Sequence, residues 1–346
     1  MKNVMLVCLC GLMLLAVGCS GSKAPKVAVS LPEKYNTPDG MVLGADGNIY
    51  LSCPNYNDPN YPAKVIKIGP DDQITEVCTL VPRNPQTGVH GALGIAMGPD
   101  GHLYIADNQG IAGTKEYQSR LVRVIMKDGK AQQLQTLVTD FRESNAVSCY
   151  GDSVYVTETC LDPDAYPMPS GVYRFKYSEF TGTPIKLKHD AKDGHLVVKL
   201  YTYNKEWAVG ANGLAFDATG RMLVCNFGEA SIERFTLDDQ GEVTLREVVA
   251  RGDGMLSTDG MKVCPKTGEI YVADFVADAV HKVCPETGKV TTLWQNDVNL
   301  GGADGLLDKP SEVCLRDGKV YIANIDLPFA GNEYDEAHTI SVIDLK

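Results

Sequence analysis

The feature that most constrains this chain is a short apolar segment that recurs about every fifty residues. It is clearest in GHLYIAD, GEIYVAD and GKVYIAN. Six copies can be aligned on one central residue, at Tyr50, Tyr104, Tyr155, Leu223, Tyr271 and Tyr321. The intervals between them are 54, 51, 68, 48 and 50 residues. A period of this length is typical of repeat architectures, in which each copy is one supersecondary unit.

Each copy is the second in a series of short strands. A first strand precedes it, as in GLAFD and GMKVC, and a third strand with alternating apolar and polar residues follows it, as in AKVIKI and SIERFT. Such alternation indicates half-buried strands. Five units continue into a fourth strand, such as EVCTLV or VTTLW, whereas the sixth unit reaches Lys346 without one.

The segment KVAVSL, residues 26–31, precedes the first unit and can supply the strand that the sixth unit lacks. Closing the ring in this way leaves no free sheet edges. We therefore predict an all-β fold, a six-bladed β-propeller with four-stranded blades, which forms one domain over residues 26–346. The long interval predicts an insertion at about residues 178–194, which we expect to be a surface loop.

The first residues are typical of an export signal. Lys2 is followed by an apolar run that is too short to span a bilayer, and the run ends in Ala-Val-Gly-Cys at residues 16–19. This ending resembles the lipobox of bacterial lipoproteins. The resemblance implies a signal peptide over residues 1–18, lipidation of Cys19 and a tether over residues 19–25; an ordinary secretory signal is the alternative. We expect an exported lipoprotein, periplasmic or at the cell surface.

The charge of the chain bears on its partners. A formal net charge of −12 argues against nucleic acid and against direct binding to anionic membranes. We expect a monomer that meets the membrane only through its lipid anchor.

Eight of the eleven cysteines follow Cys19, at equivalent places in the repeat rather than in CxxC pairs. Most are predicted to be small buried residues, and Cys149 with Cys160 is the pair to test for a disulfide.

Polar residues occupy the starts of several first strands. In a propeller blade the first strand starts, and the second strand ends, on the same face, so these residues converge at the central axis. Four of them carry oxygen ligands: Asp39, Asn145, Asn212 and Asp259. The two other blades have Leu93 and the pair Ser311 and Glu312 at this place.

Two carboxylates and two amides suit Ca²⁺, with another divalent cation as an alternative. Asp-Gly and Asn-Gly are also common turn dipeptides, and this is the other explanation for each residue taken alone.

The stretches ANGLAFDATGRMLVCNF and TDGMKVCPKTGEIYVAD resemble the regucalcin/gluconolactonase (senescence marker protein) family of six-bladed propellers. The resemblance extends over about residues 26–346. It implies a central calcium held by a blade-one acid, two asparagines and a blade-five aspartate, which fall here on Asp39, Asn145, Asn212 and Asp259. The first family ligand is usually a glutamate in an E-G-P setting, so the shorter Asp39 implies weaker binding or an intervening water.

The family resemblance also implies a function. It implies hydrolysis of a sugar lactone or related ester, with Asp259 as the base that activates water. His90 is a second candidate base, because VHGALGI is similar to the segment that precedes blade two in paraoxonases. The segments DGHLYIAD and DGNIYLS also resemble NHL-type repeats. This second resemblance leaves a non-catalytic propeller that binds a carbohydrate or a protein as the alternative.

The loops that follow the second strands are long and rich in tyrosine. Their aromatic rings are candidates for stacking on a sugar: Tyr56, Tyr61, Tyr117, Tyr166 and Tyr334. The polar residues that end the second strands are expected to form a second layer that supports the metal ligands: Asp107, Glu158, Asn226 and Asp274.

Overall fold

The computed structural model describes most of the chain after residue 23. The described ranges are 24–58, 60–111, 116–189, 193–238, 240–296, 306–329, 331–334 and 337–345. Within them the chain forms β-strands and two short 3-10 helices, Glu33–Tyr35 and Tyr177–Glu179. None of the helices in these ranges has the length and apolarity needed to cross a membrane. The proposed signal peptide and Cys19 lie outside the described residues, so lipidation of Cys19 stays a prediction.

The strands form six sheets, each with four antiparallel strands, as predicted for a six-bladed propeller. The chain starts with β1 (Lys26–Leu31). Blade one contains β2 (Met41–Leu43), β3 (Ile49–Cys53), β4 (Lys64–Ile68) and β5 (Ile74–Thr79). Blade two contains β6 (Ala92–Met97), β7 (Leu103–Asp107), β8 (Ser119–Lys127) and β9 (Lys130–Phe141). Blade three contains β10 (Ser144–Tyr150), β11 (Ser153–Glu158), β12 (Met168–Lys176) and, after the short β13 (Ile185–Lys186), β14 (Leu196–Thr202).

The second half of the chain repeats this pattern. Blade four contains β15 (Ala211–Phe216), β16 (Met222–Asn226), β17 (Ser231–Leu237) and β18 (Val243–Arg251). Blade five contains β19 (Met261–Val263), β20 (Ile270–Asp274), β21 (Ala279–Val283) and β22 (Val290–Gln295). Blade six contains β23 (Pro310–Arg316), β24 (Lys319–Asn324) and β25 (His338–Asp344).

The ring is closed by the N-terminal strand. β1 pairs antiparallel with β25, with Leu31 opposite His338, so blade six has the order β23-β24-β25-β1. The first strands of neighbouring blades contact one another around the axis, from β2 through β6, β10, β15 and β19 to β23 and back to β2. Both features confirm the predicted architecture, and they place the starts of the first strands at the centre of the molecule.

The recurring tyrosine fills the space between blades. Tyr50, Tyr104 and Tyr321 are buried in the apolar clusters that join neighbouring sheets. The Tyr104 hydroxyl donates to Asp100 Oδ2 at 2.8 Å, and the Tyr50 hydroxyl donates to Asp46 Oδ2 at 3.1 Å. The tyrosine therefore supplies buried apolar area while its hydroxyl remains satisfied at the preceding turn. These contacts explain why the repeat is recognisable in the sequence.

The insertion is more ordered than predicted. We expected residues 178–194 to form a surface loop, but β13 adds a fifth, parallel strand to blade two through pairing with β9. Leu187 is buried and Ile185 packs against the cluster between blades two and three. Residues 190–192 are outside the described ranges. The expectation of a loop was wrong for the segment around β13, which joins two blades.

The cysteines after Cys19 are free thiols. Cys149 and Cys160 do not form the disulfide that was singled out for testing. Four of the eight are buried and four are partly exposed, so the prediction that most are buried is confirmed only in part.

Candidate active site

Irregularities in strand pairing direct the axial residues into the centre. The register between the first and second strands shifts at the first-strand start in blades two, three, four and six. A β-bulge of this kind turns a side chain away from the regular pleat. The residues at these shifts line the axial cavity: Leu93, Asn145, Asn212 and Ser311. In blades one and five, regular pairing begins only at Met41 and Met261, two residues after Asp39 and Asp259.

Glycines bring these positions close together. The residue after the axial position is Gly40, Gly94, Gly213 or Gly260 in four blades, and none of the four has a positive φ. A Cβ at any of them would lie within 3.0 Å of a backbone atom of the next blade. The Asp-Gly and Asn-Gly pairs are therefore not turns here, because the glycine permits close approach of two first strands.

All four predicted ligand residues line one cavity of about 280 Å³ at the axis: Asp39, Asn145, Asn212 and Asp259. Ser311 contributes a hydroxyl to the same cavity. The structure therefore brings together side chains that are separated by up to 220 residues in the sequence.

The negative charge at this place exceeds the positive charge beside it. Asp39 and Glu312 are buried, and Asp259 lies close enough to both for their charges to affect it. Lys262 is the cation beside these carboxylates, and its Nζ is bound to Glu312 Oε2 at 2.6 Å. Two carboxylates are thus left without a direct cationic partner among the described residues.

The pKa values of these groups reflect that imbalance. Burial raises the pKa of Asp39 to about 7, with Glu312 adding to the rise and Ser311 opposing it. Burial also raises the pKa of Asp259 well above its usual range, and the charges of Asp39 and Glu312 add to that rise. A bound cation would favour the ionised form of both groups.

The donor set fits a hard divalent cation. In the described ranges no three His, Cys, Asp or Glu side chains are arranged to hold a metal. A metal would therefore depend on the amide oxygens of Asn145 and Asn212 as well as on the carboxylates. Such oxygen ligands fit Ca²⁺, which also accepts waters, and they do not fit the nitrogen and sulfur preference of Zn²⁺.

Apolar side chains form the walls of the cavity. Leu93, Phe227, Phe275, Ile325 and Leu327 make a buried cluster, against which Trp207 and Val209 pack. The rings of Trp207 and Phe227 are 6.1 Å apart, as are those of Phe227 and Phe275. Our reading of the sequence missed these aromatic residues, although Phe227 ends the stretch that carries the family resemblance.

The cavity-lining residues after the second strands were missed because they stand one position beyond the strand-end residues that the sequence analysis considers. The residue directly after the second strand lines the cavity in five blades: Asn108, Thr159, Phe227, Phe275 and Ile325. The sequence analysis considers only the residue before each of the first four, at the strand end, and as a support for the ligands. Because successive strand residues point in opposite directions, a shift of one position changes which side chain faces the cavity.

The polar residues at the strand ends hold the loops that lead to the first strands. Asp107 Oδ1 accepts from Gly91 N at 2.7 Å, and Glu158 accepts from Arg142 N and Glu143 N at 2.8 and 2.6 Å. Asp274 accepts from Leu256 N and Ser257 N at 2.7 and 2.9 Å, and Asn226 Oδ1 accepts from the Thr202 hydroxyl, at the end of blade three, at 2.9 Å. They do not line the axial cavity. Their hydrogen bonds hold the backbone of these loops, and a role in supporting metal ligands from outside the cavity stays a prediction.

His90 lies away from the axial cavity. Its Nε2 is 2.8 Å from the carbonyl oxygen of Pro82, its Nδ1 is 3.1 Å from Asp107 Oδ2, and its side chain has 0% exposure. It borders a separate cavity next to Tyr56 and Tyr61. The structure does not bring His90 together with Asp259, and its role as a base stays a prediction without support from this geometry.

The five loop tyrosines do not line the axial cavity. Tyr117 stacks on His189 with ring centroids 3.8 Å apart, and the Tyr334 hydroxyl donates to Glu33 Oε1 at 2.6 Å. Tyr166 is 61% exposed and packs edge-on against Tyr203. The aromatic surface of this site comes from phenylalanine and tryptophan instead. Glu143 also lines the cavity, and burial raises its pKa.

Comparisons with known proteins support the fold. No protein-family model and no curated protein matches the sequence. A luciferin-regenerating enzyme is similar in structure, with a TM-score of 0.62 and 12% identity over 94% of this chain and 95% of the other. A gluconolactonase of Xanthomonas campestris has a TM-score of 0.57 and 14% identity over 93% and 94% of the two chains.

A pyrroloquinoline-quinone-bound aldose sugar dehydrogenase of Streptomyces coelicolor is also similar. It has a TM-score of 0.58 and 14% identity, and the match covers 93% of this chain and 98% of the other. At such identities the likeness establishes the β-propeller fold, while the reaction has to be argued from the site.

Proposed function

We propose that this protein is a divalent-cation-dependent hydrolase, with calcium as the cation, that opens a sugar lactone or a related ester. The observation that carries the proposal is the convergence of Asp39, Asn145, Asn212 and Asp259 on one axial cavity. A gluconolactonase is among the proteins of similar structure, which supports the proposal at the level of the fold.

The axial residues would hold the cation through two carboxylates and two amide oxygens. A bound cation supplies Lewis acidity toward the carbonyl oxygen of the substrate and charge stabilisation for the oxyanion. Ser311 and Lys262 have supporting roles: the hydroxyl favours the ionised form of Asp39, and the ammonium holds Glu312.

Asp259 is the candidate base. Water adds to the carbonyl carbon and gives its proton to the Asp259 carboxylate, and the bond from that carbon to the ring oxygen breaks. The proton then passes from Asp259 to the alkoxide that leaves. Apolar walls around Phe227 and Phe275 limit the access of other waters. Because a ligated carboxylate is a weak base, positioning of the water must supply much of the rate.

The test is a calorimetric titration of Ca²⁺ into chelator-stripped protein. The wild type is expected to bind one ion, Asp259→Asn to lose at least a hundredfold in affinity, and Asn212→Ala to lose less. Asp71→Asn, which removes an exposed carboxylate from a turn, is the matched control and should bind normally.

A wild type that binds no Ca²⁺ and no other divalent cation would contradict the metal mechanism. Metal binding without hydrolysis of any lactone or ester would instead favour a propeller that binds a carbohydrate or a protein.

We further propose that the protein acts in the cell envelope through a lipid on Cys19. Incorporation of labelled fatty acid that is lost in Cys19→Ser would support this location, and equal incorporation would refute it.

A further inference from the structure

We infer that the substrate carries an apolar alkyl, acyl or aryl group beside the ester bond, and not the polyhydroxylated ring of a simple sugar lactone. The assignment of the cleaved bond as an ester bond rests on the proposed function. The chemical class of the rest of the substrate rests on the walls of the cavity.

The walls are apolar from the axial carboxylates outward. The cluster of Leu93, Phe227, Phe275, Ile325 and Leu327 is buried beside the ligand residues. The mouth continues this surface, because Ile111 and Phe329 line the cavity and are 41% and 50% exposed. Exposed apolar groups at the entrance of a cavity favour a ligand that removes them from water.

The polar side chains in the walls are engaged within the protein. Asn108 Nδ2 donates to the carbonyl oxygen of Ser144 at 2.9 Å, and Asn108 Oδ1 accepts from Ile111 N at 3.1 Å. Thr159 Oγ1 donates to the carbonyl oxygen of Ala211 at 3.0 Å. Apart from the axial residues, the polar side-chain groups that remain in the described lining are the Glu143 carboxylate and the indole N–H of Trp207. A ring with several hydroxyls would find too few partners here.

The two substrate classes should differ measurably. A hydroxyl that loses water without a new partner lowers affinity by roughly tenfold or more. A methylene that becomes buried raises kcat/KM by about fourfold, which corresponds to about 0.8 kcal/mol. The dependence of the rate on chain length therefore distinguishes an apolar from a polar substrate group.

The experiment measures kcat/KM of the cation-loaded protein on γ-lactones that differ only in alkyl chain length, from γ-valerolactone to γ-nonalactone. D-glucono-1,5-lactone is compared with δ-valerolactone, and each value is divided by the uncatalysed rate of that lactone. We expect about a fourfold rise per methylene over the first three or four methylenes. We also expect the corrected value for δ-valerolactone to exceed that for gluconolactone.

Variants of the cavity-wall residues test whether the walls cause the dependence of kcat/KM on alkyl chain length. Phe227→Ser should flatten the rise of kcat/KM with chain length. If Phe227→Ser does not fold, Phe329→Ser at the exposed mouth is the second variant, and it should reduce the same rise. Tyr166→Ser is the matched control, because Tyr166 is an exposed aromatic residue outside the cavity. It should keep the slope of the wild type.

Failure of the inference can be separated from failure of the proposed function. Hydrolysis that is independent of chain length, or that favours gluconolactone after correction, overturns the inference but leaves the hydrolase in place. If no lactone is hydrolysed, the inference is tested by binding instead of hydrolysis. Calorimetry then measures the affinity of the protein for 5-alkyl-2-pyrrolidinones and for D-glucono-δ-lactam. Binding that strengthens with alkyl length supports the inference, whereas preference for the glucono-lactam, or binding of neither, overturns it.

Discussion

At Gly94 the absence of a side chain sets the distance between two blades. An added Cβ would lie 2.5 Å from Asn145 O and 2.6 Å from Ala146 Cα, both backbone atoms that cannot move independently. We predict that Gly94→Ala lowers the free energy of unfolding by about 1–3 kcal/mol, because the two first strands must separate. Thermal and chemical unfolding measure the loss.

The control for this prediction is Gly194→Ala. A Cβ at Gly194 meets no atom within 4 Å, and the residue has no positive φ. Its substitution should be neutral or slightly stabilising, because alanine restricts the unfolded chain. Equal stability of Gly94→Ala and wild type would show that the close approach of the strands is not needed. Since Asn145 belongs to the contacted backbone, the same variant should also weaken cation binding.

Individual residues differ in how far the sequence could assign them. Asp39, Asn145, Asn212 and Asp259 could be found because the repeat gives each blade one equivalent position at the axis. Phe227 could have been found by moving one residue past the strand end. The separation of His90 from the axial cavity could not have been predicted from the sequence. It depends on contacts of His90 with Pro82 and Asp107, which lie in two different segments. Such contacts have no periodic signal in the sequence.

At the scale of elements, the ends of the second strands fix the loops that deliver the axial residues. Asp274, at the end of β20, accepts hydrogen bonds from the backbone N–H groups of Leu256, Ser257 and Ala277. The Ser257 hydroxyl also donates to it at 2.7 Å. This loop leads directly into Asp259, so the position of the candidate base depends on a carboxylate that does not line the cavity.

We predict that Asp274→Ala destabilises the protein by about 2–5 kcal/mol, because three backbone donors lose their acceptor. It should also weaken cation binding, since the loop before Asp259 is no longer held. Unfolding and cation titration on the same preparation measure both effects.

The matched control for Asp274 is Asp217→Ala. Asp217 accepts similar bonds from Thr219 N and Arg221 N in a partly exposed turn of blade four, where water can replace the lost acceptor. A smaller loss of stability and no change in cation affinity are expected there. Equal effects of the two variants on cation binding would argue against a role for Asp274 in positioning Asp259.

The elements themselves were largely predictable. The strand order within each blade and the closure by β1 follow from the repeat and from the missing strand in the sixth unit. β13 was not predictable, because two residues that pair in parallel with β9 leave no pattern that differs from a loop. Its place is decided by packing, with Leu187 buried between blades two and three.

At the scale of the whole molecule, stability depends on the junction between the two ends of the described chain. His338 starts β25, and its Nε2 is 2.7 Å from Glu33 Oε2, in the helix that follows β1. Its Nδ1 is 3.7 Å from Asp326 Oδ2, and the Tyr334 ring stacks on it. The histidine is almost fully buried, so its charge is compensated chiefly by these two carboxylates. Blade six is thereby joined to the N-terminal segment by a titratable contact as well as by strand pairing.

This contact predicts a pH dependence of ring closure. Burial by itself would lower the pKa of His338, but the hydrogen bond to Glu33 and the charges of Glu33 and Asp326 outweigh it and raise this pKa above its usual value. A histidine with a raised pKa in the folded state contributes stability below its unfolded pKa, and that contribution is lost as the pH rises through the folded pKa. The stability difference between wild type and His338→Gln should therefore shrink as the pH rises from 6 to 9.

Unfolding midpoints across this pH range measure the difference, and Glu33→Gln should reduce the same pH dependence by removing one anion. Wild type and His338→Gln curves that run parallel with pH would exclude a role for the ion pair. In that case the ring would be closed by the backbone pairing of β1 with β25 alone. Loss of the pH dependence in both variants would instead show that the contact between His338 and Glu33 accounts for the lower stability of the folded state at alkaline pH.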